Sequence, residues 1–120
     1  MKALPVSLIL FSLLIVCLTA NAMFIKSFTK SLSCAADELA SPNGREEKLT
    51  ELETYWEKNR EIVGLSVSHI QLDKFGDIII NLRQAHRYSD EAEFQRNLTL
   101  LRELARNLER TERISFENLL

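Results

Sequence analysis

Residues 90–108, DEAEFQRNLTLLRELARNL, contain the clearest structural pattern in the sequence. Its apolar residues recur in alternating steps of four and three positions, a spacing that aligns side chains along one face of an α-helix. Asp90 and Glu93 have the residue types and the spacing of an N-terminal capping box, which indicates where this helix begins. The apolar face comprises Phe94, Leu98, Leu101, Ala105 and Leu108. Such a face has to be covered by other helices, so the stretch predicts a helical bundle.

Two more amphipathic helices are expected upstream of this stretch. The first should follow the turn of residues 41–44 (SPNG), with Asn43 and Glu46 as its capping box, and end near Gly64. The second should begin at Ser68 with a similar box. The apolar faces are Leu49, Leu52, Trp56 and Val63 in the first helix, and Leu72, Phe75, Ile79, Leu82 and His86 in the second.

The N-terminal segment from Ala3 to Ile25 contains no charged residue, whereas Lys2 precedes it and Lys26 follows it. About 20 apolar residues cross the core of a bilayer as a helix, so this segment predicts a transmembrane helix. Two interpretations remain open: a signal anchor that stays in the membrane, or a signal peptide cleaved after Ala22, because residues 20–22 (ANA) fit the A-x-A pattern. We favour the anchor because residues 23–25 (MFI) continue the apolar character past that point.

These elements predict an all-α protein with an N-terminal transmembrane helix followed by a small antiparallel bundle of three to four helices. Residues 1–26 form the signal anchor or cleavable signal peptide, and residues 27–120 form an extracytoplasmic helical domain. We expect a single-pass protein of the cell membrane, or a secreted protein if the signal is removed. Three of the 15 basic residues lie before residue 31, which leaves 12 basic and 17 acidic residues downstream. This negative balance argues against a nucleic-acid partner.

Two stripes of like charge flank the apolar faces. Like charges four residues apart repel each other, so each stripe is more stable beside a stripe of opposite charge. We therefore expect the two helices to be neighbours in the bundle. The alternatives are that the basic stripe faces anionic lipid headgroups or an acidic partner, or that both stripes are solvated. The acidic stripe is Glu46, Glu53, Glu57 and Glu61, and the basic stripe is Arg102, Arg106, Arg110 and Arg113.

The sequence contains no recognisable catalytic, cofactor-binding or metal-binding motif. His69 and Asp73 stand four residues apart at a helix start, but zinc would need further ligands. Trp56, the only tryptophan, is expected in the core or, alternatively, as an interface anchor. Cys34 is interpreted as an ordinary small apolar helix residue, with an intermolecular disulfide as the alternative. The tail is expected to cover the end of the bundle or to dock on a partner, through Glu117, Asn118, Leu119 and Leu120.

The run Tyr55-Trp56-Glu57-Lys58, the residues His69 and Asp73, and the terminal ISFENLL together resemble a family of small bacterial proteins, domain of unknown function 4363. The resemblance covers nearly the whole chain, and members share one N-terminal hydrophobic segment. It implies no assigned activity, no catalytic residues and no cofactor. Such proteins are often encoded beside multi-span membrane proteins, so the resemblance implies an accessory subunit.

We therefore expect a non-enzymatic, membrane-anchored accessory or scaffolding protein that contacts another membrane or envelope protein. The expected contact residues are Trp56, His69, Asp73 and the tail from residue 115 to residue 120. The alternative is a cleaved, exported helical domain that binds anionic lipid or another envelope component through the basic stripe.

Overall fold

The structure, a computed structural model, describes the backbone of residues 3–65 and 67–119 and the side chains of residues 4–65 and 67–111. Within these ranges the chain forms four helices: α1 (Ala3–Leu39), α2 (Arg45–Gly64), α3 (His69–Arg87) and α4 (Glu91–Leu119). The prediction of an all-α protein, with a long apolar N-terminal helix and an antiparallel bundle, is confirmed.

Two of the three predicted helix starts are confirmed by their capping bonds. The Ser68 hydroxyl accepts a hydrogen bond from the backbone N–H of Gln71 at 3.2 Å, and the Asp90 carboxylate accepts one from the N–H of Glu93 at 3.1 Å. These bonds satisfy backbone donors that have no partner inside the first turn of a helix.

The predicted capping box of Asn43 and Glu46 is wrong. Gly44 occupies the N-cap position of α2 in the left-handed conformation, with φ 65°, and it offers no side-chain cap. The backbone N–H of Asn43 instead donates to the Ser41 hydroxyl at 3.4 Å. Because the turn places the helix start one residue later than expected, the Asn43 side chain is no longer in the capping position.

The helices pack in a closed ring in which α1 contacts α2, α2 contacts α3, α3 contacts α4, and α4 contacts α1. In the described part of the chain, no Cα atom of α2 lies within 8 Å of one of α4, so these two helices are diagonal. The core combines the predicted apolar faces with one face of α1. Its fully buried side chains include Ile25, Phe28, Leu32, Leu49, Phe75, Leu82, Phe94, Leu98 and Leu101.

Candidate functional site

The N-terminal part of α1 projects from the bundle as an exposed apolar helix. Every residue from Leu4 to Cys17, here called the projecting segment, is exposed, and its large apolar side chains are between 38% and 70% accessible. Burial begins at Leu18 and is complete at Ile25, within the same unbroken helix. Among the described helices, α1 alone is apolar and long enough to cross a membrane, a criterion that a signal sequence also meets.

The α2–α3 turn, of which the structure describes Leu65, Val67 and Ser68, lies at the end of the bundle from which the projecting segment emerges. Phe28 packs on Trp56, with 6.3 Å between ring centroids. Gly64 follows Trp56 by eight residues on the antiparallel α2, so it lies roughly 12 Å further along the helix axis, toward the projecting segment. The same rise along α1, from Phe28 toward the N-terminus, leads to about residue 20. The turn is therefore level with the region where α1 leaves the bundle.

The C-terminal end of α4 reaches the same level. Arg102 donates to the Asp37 carboxylate at 3.2 Å and to the Ala36 carbonyl at 3.3 Å, which fixes the register of α4 against α1. From Arg102 to the helix end at Leu119, α4 rises about 25 Å further, which corresponds to residues 19–20 of the antiparallel α1.

The expectation that the acidic and basic stripes face each other is wrong, because α2 and α4 are diagonal. On the basic stripe, Arg102 pairs with Asp37 of α1, whereas Arg106 and Arg110 are exposed and make no ion pair with a described residue. The side chain of Arg113 lies outside the described residues. Two basic side chains are therefore open to solvent on the half of α4 nearest the projecting segment.

Two members of the acidic stripe, Glu46 and Glu53, are paired with Arg83 of α3, which sequence reasoning did not identify. The Arg83 guanidinium contacts the carboxylate of Glu46 at 2.7 Å and that of Glu53 at 2.5 Å. The hydrogen bond from Arg83 lowers the pKa of Glu46, and the carboxylates in turn raise the pKa of Arg83. His86 adds a contact from its Nε2 to Glu46 at 2.8 Å. Glu57 is paired within its own helix, with Arg60 at 3.7 Å.

Arg45 is the second charged residue whose role the sequence did not reveal. It is only 6% exposed, and its Nε donates to the Leu39 carbonyl at 3.1 Å while one terminal nitrogen reaches the Ala40 carbonyl at 3.3 Å. Both terminal nitrogens of Arg45 donate to the Glu91 carboxylate, and this contact lowers the pKa of Glu91 to about 2. The guanidinium carbon of Arg45 lies 4.1 Å from the centre of the Phe94 ring. Arg45 thus joins the ends of α1, α2 and α4 at the side of the bundle far from the projecting segment.

Of the predicted contact residues, Trp56 lies in the core. It is 7% exposed and packs between Phe28 and Phe75, at centroid distances of 6.3 and 5.8 Å. Gly76 of α3 faces the indole, and an added Cβ there would lie 3.8 Å from the indole nitrogen, an ordinary van der Waals distance, so the packing does not require glycine. This position agrees with the interpretation of Trp56 as a core residue.

His69 and Asp73 are exposed on the first turns of α3, beside the α2–α3 turn. No hydrogen bond joins their side chains, and among the described residues no group of three or more potential ligands is placed to hold a metal. The side chains of Glu117, Asn118 and Leu119, and the whole of Leu120, lie outside the described residues. Cys17 and Cys34 are both free and exposed, and the alternative of an intermolecular disulfide through Cys34 stays a prediction.

Comparison with known proteins gives one match. Residues 25–119 match the model of a family described as a domain of unknown function, DUF4363. No curated protein and no solved structure matches the chain. The match covers the four-helix bundle and most of the chain, so this protein belongs to the family of domain of unknown function 4363.

Proposed function

We propose that this protein is a membrane-anchored, non-enzymatic accessory or scaffolding protein, whose bundle stands at the extracytoplasmic membrane surface and contacts another membrane or envelope protein. The observation that carries the proposal is the projecting segment, an exposed apolar helix that continues without a break into the bundle. An anchor of this kind holds the bundle at the bilayer surface through one continuous helix.

The exposure of the projecting segment favours a lipid environment over water. Ten large apolar side chains from Leu4 to Val16 are exposed. Complete burial of one fully exposed side chain of this kind is worth roughly 1.5–3 kcal/mol, and these ten are between 38% and 70% exposed, so covering the set by lipid contributes on the order of 10–20 kcal/mol. No described part of the bundle covers them.

The helical conformation and partial burial of the cleavage motif support retention of the segment. Residues 20–22 are helical, and Asn21 and Ala22 are partly buried against the bundle. Proteases act preferentially on exposed, non-helical chain, so this motif is poorly placed once the bundle has formed. Cleavage after Ala22 would leave Ile25 and the core complete, and this is the alternative of an exported helical domain.

The first experiment is the mass and fractionation of the mature protein in its native cell. A full-length chain that stays with the membrane after alkaline washing supports the anchor. A chain that begins at Met23 in the soluble or secreted fraction replaces the anchor with the exported domain. A Leu10→Arg variant should weaken membrane retention, since a charge at the centre of a span costs about 2.5–3.5 kcal/mol, whereas the matched Leu10→Ala variant should remain anchored.

Contact with a partner protein is tested by photo-crosslinking in intact cells. A crosslinker at Asp73 lies on the exposed surface near the proposed membrane, and one at Asn43 lies on the exposed turn at the opposite end. The proposal expects a discrete adduct from Asp73 and none from Asn43. Equal background labelling at both positions would contradict contact between this surface and a partner protein.

The basic stripe supports a second candidate function, the binding of anionic lipid headgroups. Arg106 and Arg110 are exposed on the half of α4 near the projecting segment and have no ion pair with a described residue. Replacing both with glutamine should reduce binding to vesicles containing phosphatidylglycerol and should flatten its salt dependence. The matched control is Arg96→Gln, because Arg96 is exposed but pairs with Glu93 at the other end of α4. Unchanged binding by the double variant would exclude this function.

A further inference from the structure

We infer that the α2–α3 turn is a second membrane-contacting site, at which Ile62, Leu65 and Ile70 enter the boundary between headgroups and acyl chains. The bilayer leaflet is the one that α1 crosses next to the bundle. This inference rests on the proposed anchoring by α1.

The turn lies close to the depth at which α1 leaves the hydrocarbon core. The uncharged stretch of α1 is bounded by Lys2 and Lys26, and a hydrocarbon core requires about 20 residues of helix. A window of that length between the two lysines ends between about residues 22 and 25 on the bundle side. The turn is level with about residue 20, two to five residues before that end, so it lies about 3–8 Å inside the boundary of the hydrocarbon core.

The turn is flanked by exposed apolar side chains. Leu65 is 88% exposed, Ile70 69% and Ile62 50%, and these side chains lie on either side of one short connection. Single exposed apolar residues are common on soluble proteins and need no explanation. Here the three flank the same turn at the depth where a bilayer would cover them, and Met23 of α1, which is 68% exposed, lies at a similar level.

Polar groups of α3 lie around the turn. His69 and Asp73 are exposed on the first turns of α3, near Leu65 and Ile70. Asp73 lies about 6 Å further from the turn than His69, toward the headgroups, where charged and polar side chains remain hydrated. Apolar residues that penetrate about 5–10 Å, flanked by polar residues, are typical of protein segments that lie in a membrane interface. The turn therefore gives the bundle a second point of support, which restricts its tilt relative to α1.

The test uses the full-length chain in vesicles of phosphatidylcholine and phosphatidylglycerol, with Cys17 and Cys34 replaced by serine. Single cysteines are introduced as Leu10→Cys in the projecting segment, Leu65→Cys in the turn and Asn43→Cys at the far end. All three positions are exposed, so the substitutions leave the core unchanged. Each variant carries an environment-sensitive fluorophore, and lipids with nitroxide groups serve as quenchers.

The inference expects strong quenching and a blue-shifted emission at residues 10 and 65, several-fold above the quenching at residue 43. If residue 10 is quenched and residue 65 behaves like residue 43, the second contact is overturned and the anchor stands. If residue 10 is not quenched, the proposed anchoring fails, and the inference fails with it.

Discussion

Replacement of Arg45 by alanine should destabilise the bundle far more than replacement of an ordinary surface arginine. The Arg45 side chain is 6% exposed and donates from Nε to the Leu39 carbonyl at 3.1 Å, at the end of α1 where helix carbonyls lack partners. Truncation leaves that carbonyl buried without this donor. The Ala40 carbonyl keeps a hydrogen bond from Gln95 at 3.1 Å.

The magnitude follows from two interactions. An unpaired buried carbonyl costs about 1–3 kcal/mol, and the loss of the cation over the Phe94 ring, 4.1 Å away, costs about 0.5–2 kcal/mol. The two overlap, because one truncation removes both, so we expect a loss of about 2–4 kcal/mol in the free energy of unfolding. The Glu91 contact is left out of this figure because that carboxylate is 58% exposed.

The assay is urea unfolding of the full-length chain in detergent micelles, followed by tryptophan fluorescence. Trp56 is the only tryptophan and is buried among Phe28 and Phe75, so its emission reports the bundle and not the projecting segment. The matched control is Arg60→Ala, whose side chain is 54% exposed and 3.7 Å from Glu57, and which should lie within about 0.5 kcal/mol of the wild type.

Arg45→Lys separates charge from geometry. Lysine keeps the positive charge but lacks the planar fork that reaches the Leu39 carbonyl and Glu91 together, so its stability should fall between those of the wild type and Arg45→Ala. If Arg45→Ala unfolds at the same urea concentration as Arg60→Ala, the contacts of Arg45 with the Leu39 carbonyl and the Phe94 ring do not stabilise the bundle by the expected amount.

Three further predictions concern the turns and the charged pair. Ser89 has a positive φ of 54° in the turn after α3, so Ser89→Gly should raise the free energy of unfolding by about 1 kcal/mol in the same assay. Gly44→Ala should lower it by about 1 kcal/mol, because Gly44 has φ 65°; equal and near-zero effects in the two variants would contradict this explanation. The pKa of Glu91 is lowered from 4.5 to about 2, chiefly by the hydrogen bond from Arg45. Its contribution is therefore complete above pH 4.5 and is lost as the pH falls toward 2, so the stability difference between the wild type and Glu91→Gln should shrink over that interval and stay constant from pH 6 to 8.

Much of the fold depends on residues that are close together in the sequence. The capping bonds at Ser68 and Asp90 join residues three positions apart, and the apolar face of α4 follows from a short-range repeat. Residue types and spacing alone were sufficient to predict these features. The start of α2 was predicted incorrectly because it depends on the backbone angle at Gly44, which a search for side-chain caps does not consider.

The candidate site was predictable only in part. The uncharged stretch from Ala3 to Ile25 is evident in the sequence, but its division into an exposed part and a buried part depends on where the other helices end. The apolar residues of the α2–α3 turn carried no signal of their own in the sequence. Their relation to the membrane follows from the register of α2 against α1, which places them level with the region where α1 leaves the bundle.

Local sequence patterns were sufficient to establish that the chain is helical, where most of its helices begin, which faces are apolar and which segment is suited to a membrane, because each of these properties depends on neighbouring residues. Which charges meet depends on how the helices pack. Glu53 of the acidic stripe pairs with Arg83 of α3, and Arg102 of the basic stripe pairs with Asp37 of α1. Arg45 is buried where α1, α2 and α4 meet. Charge attraction acts at short range between groups that packing has already brought together, and the diagonal arrangement of α2 and α4 kept apart the two stripes whose charges are complementary.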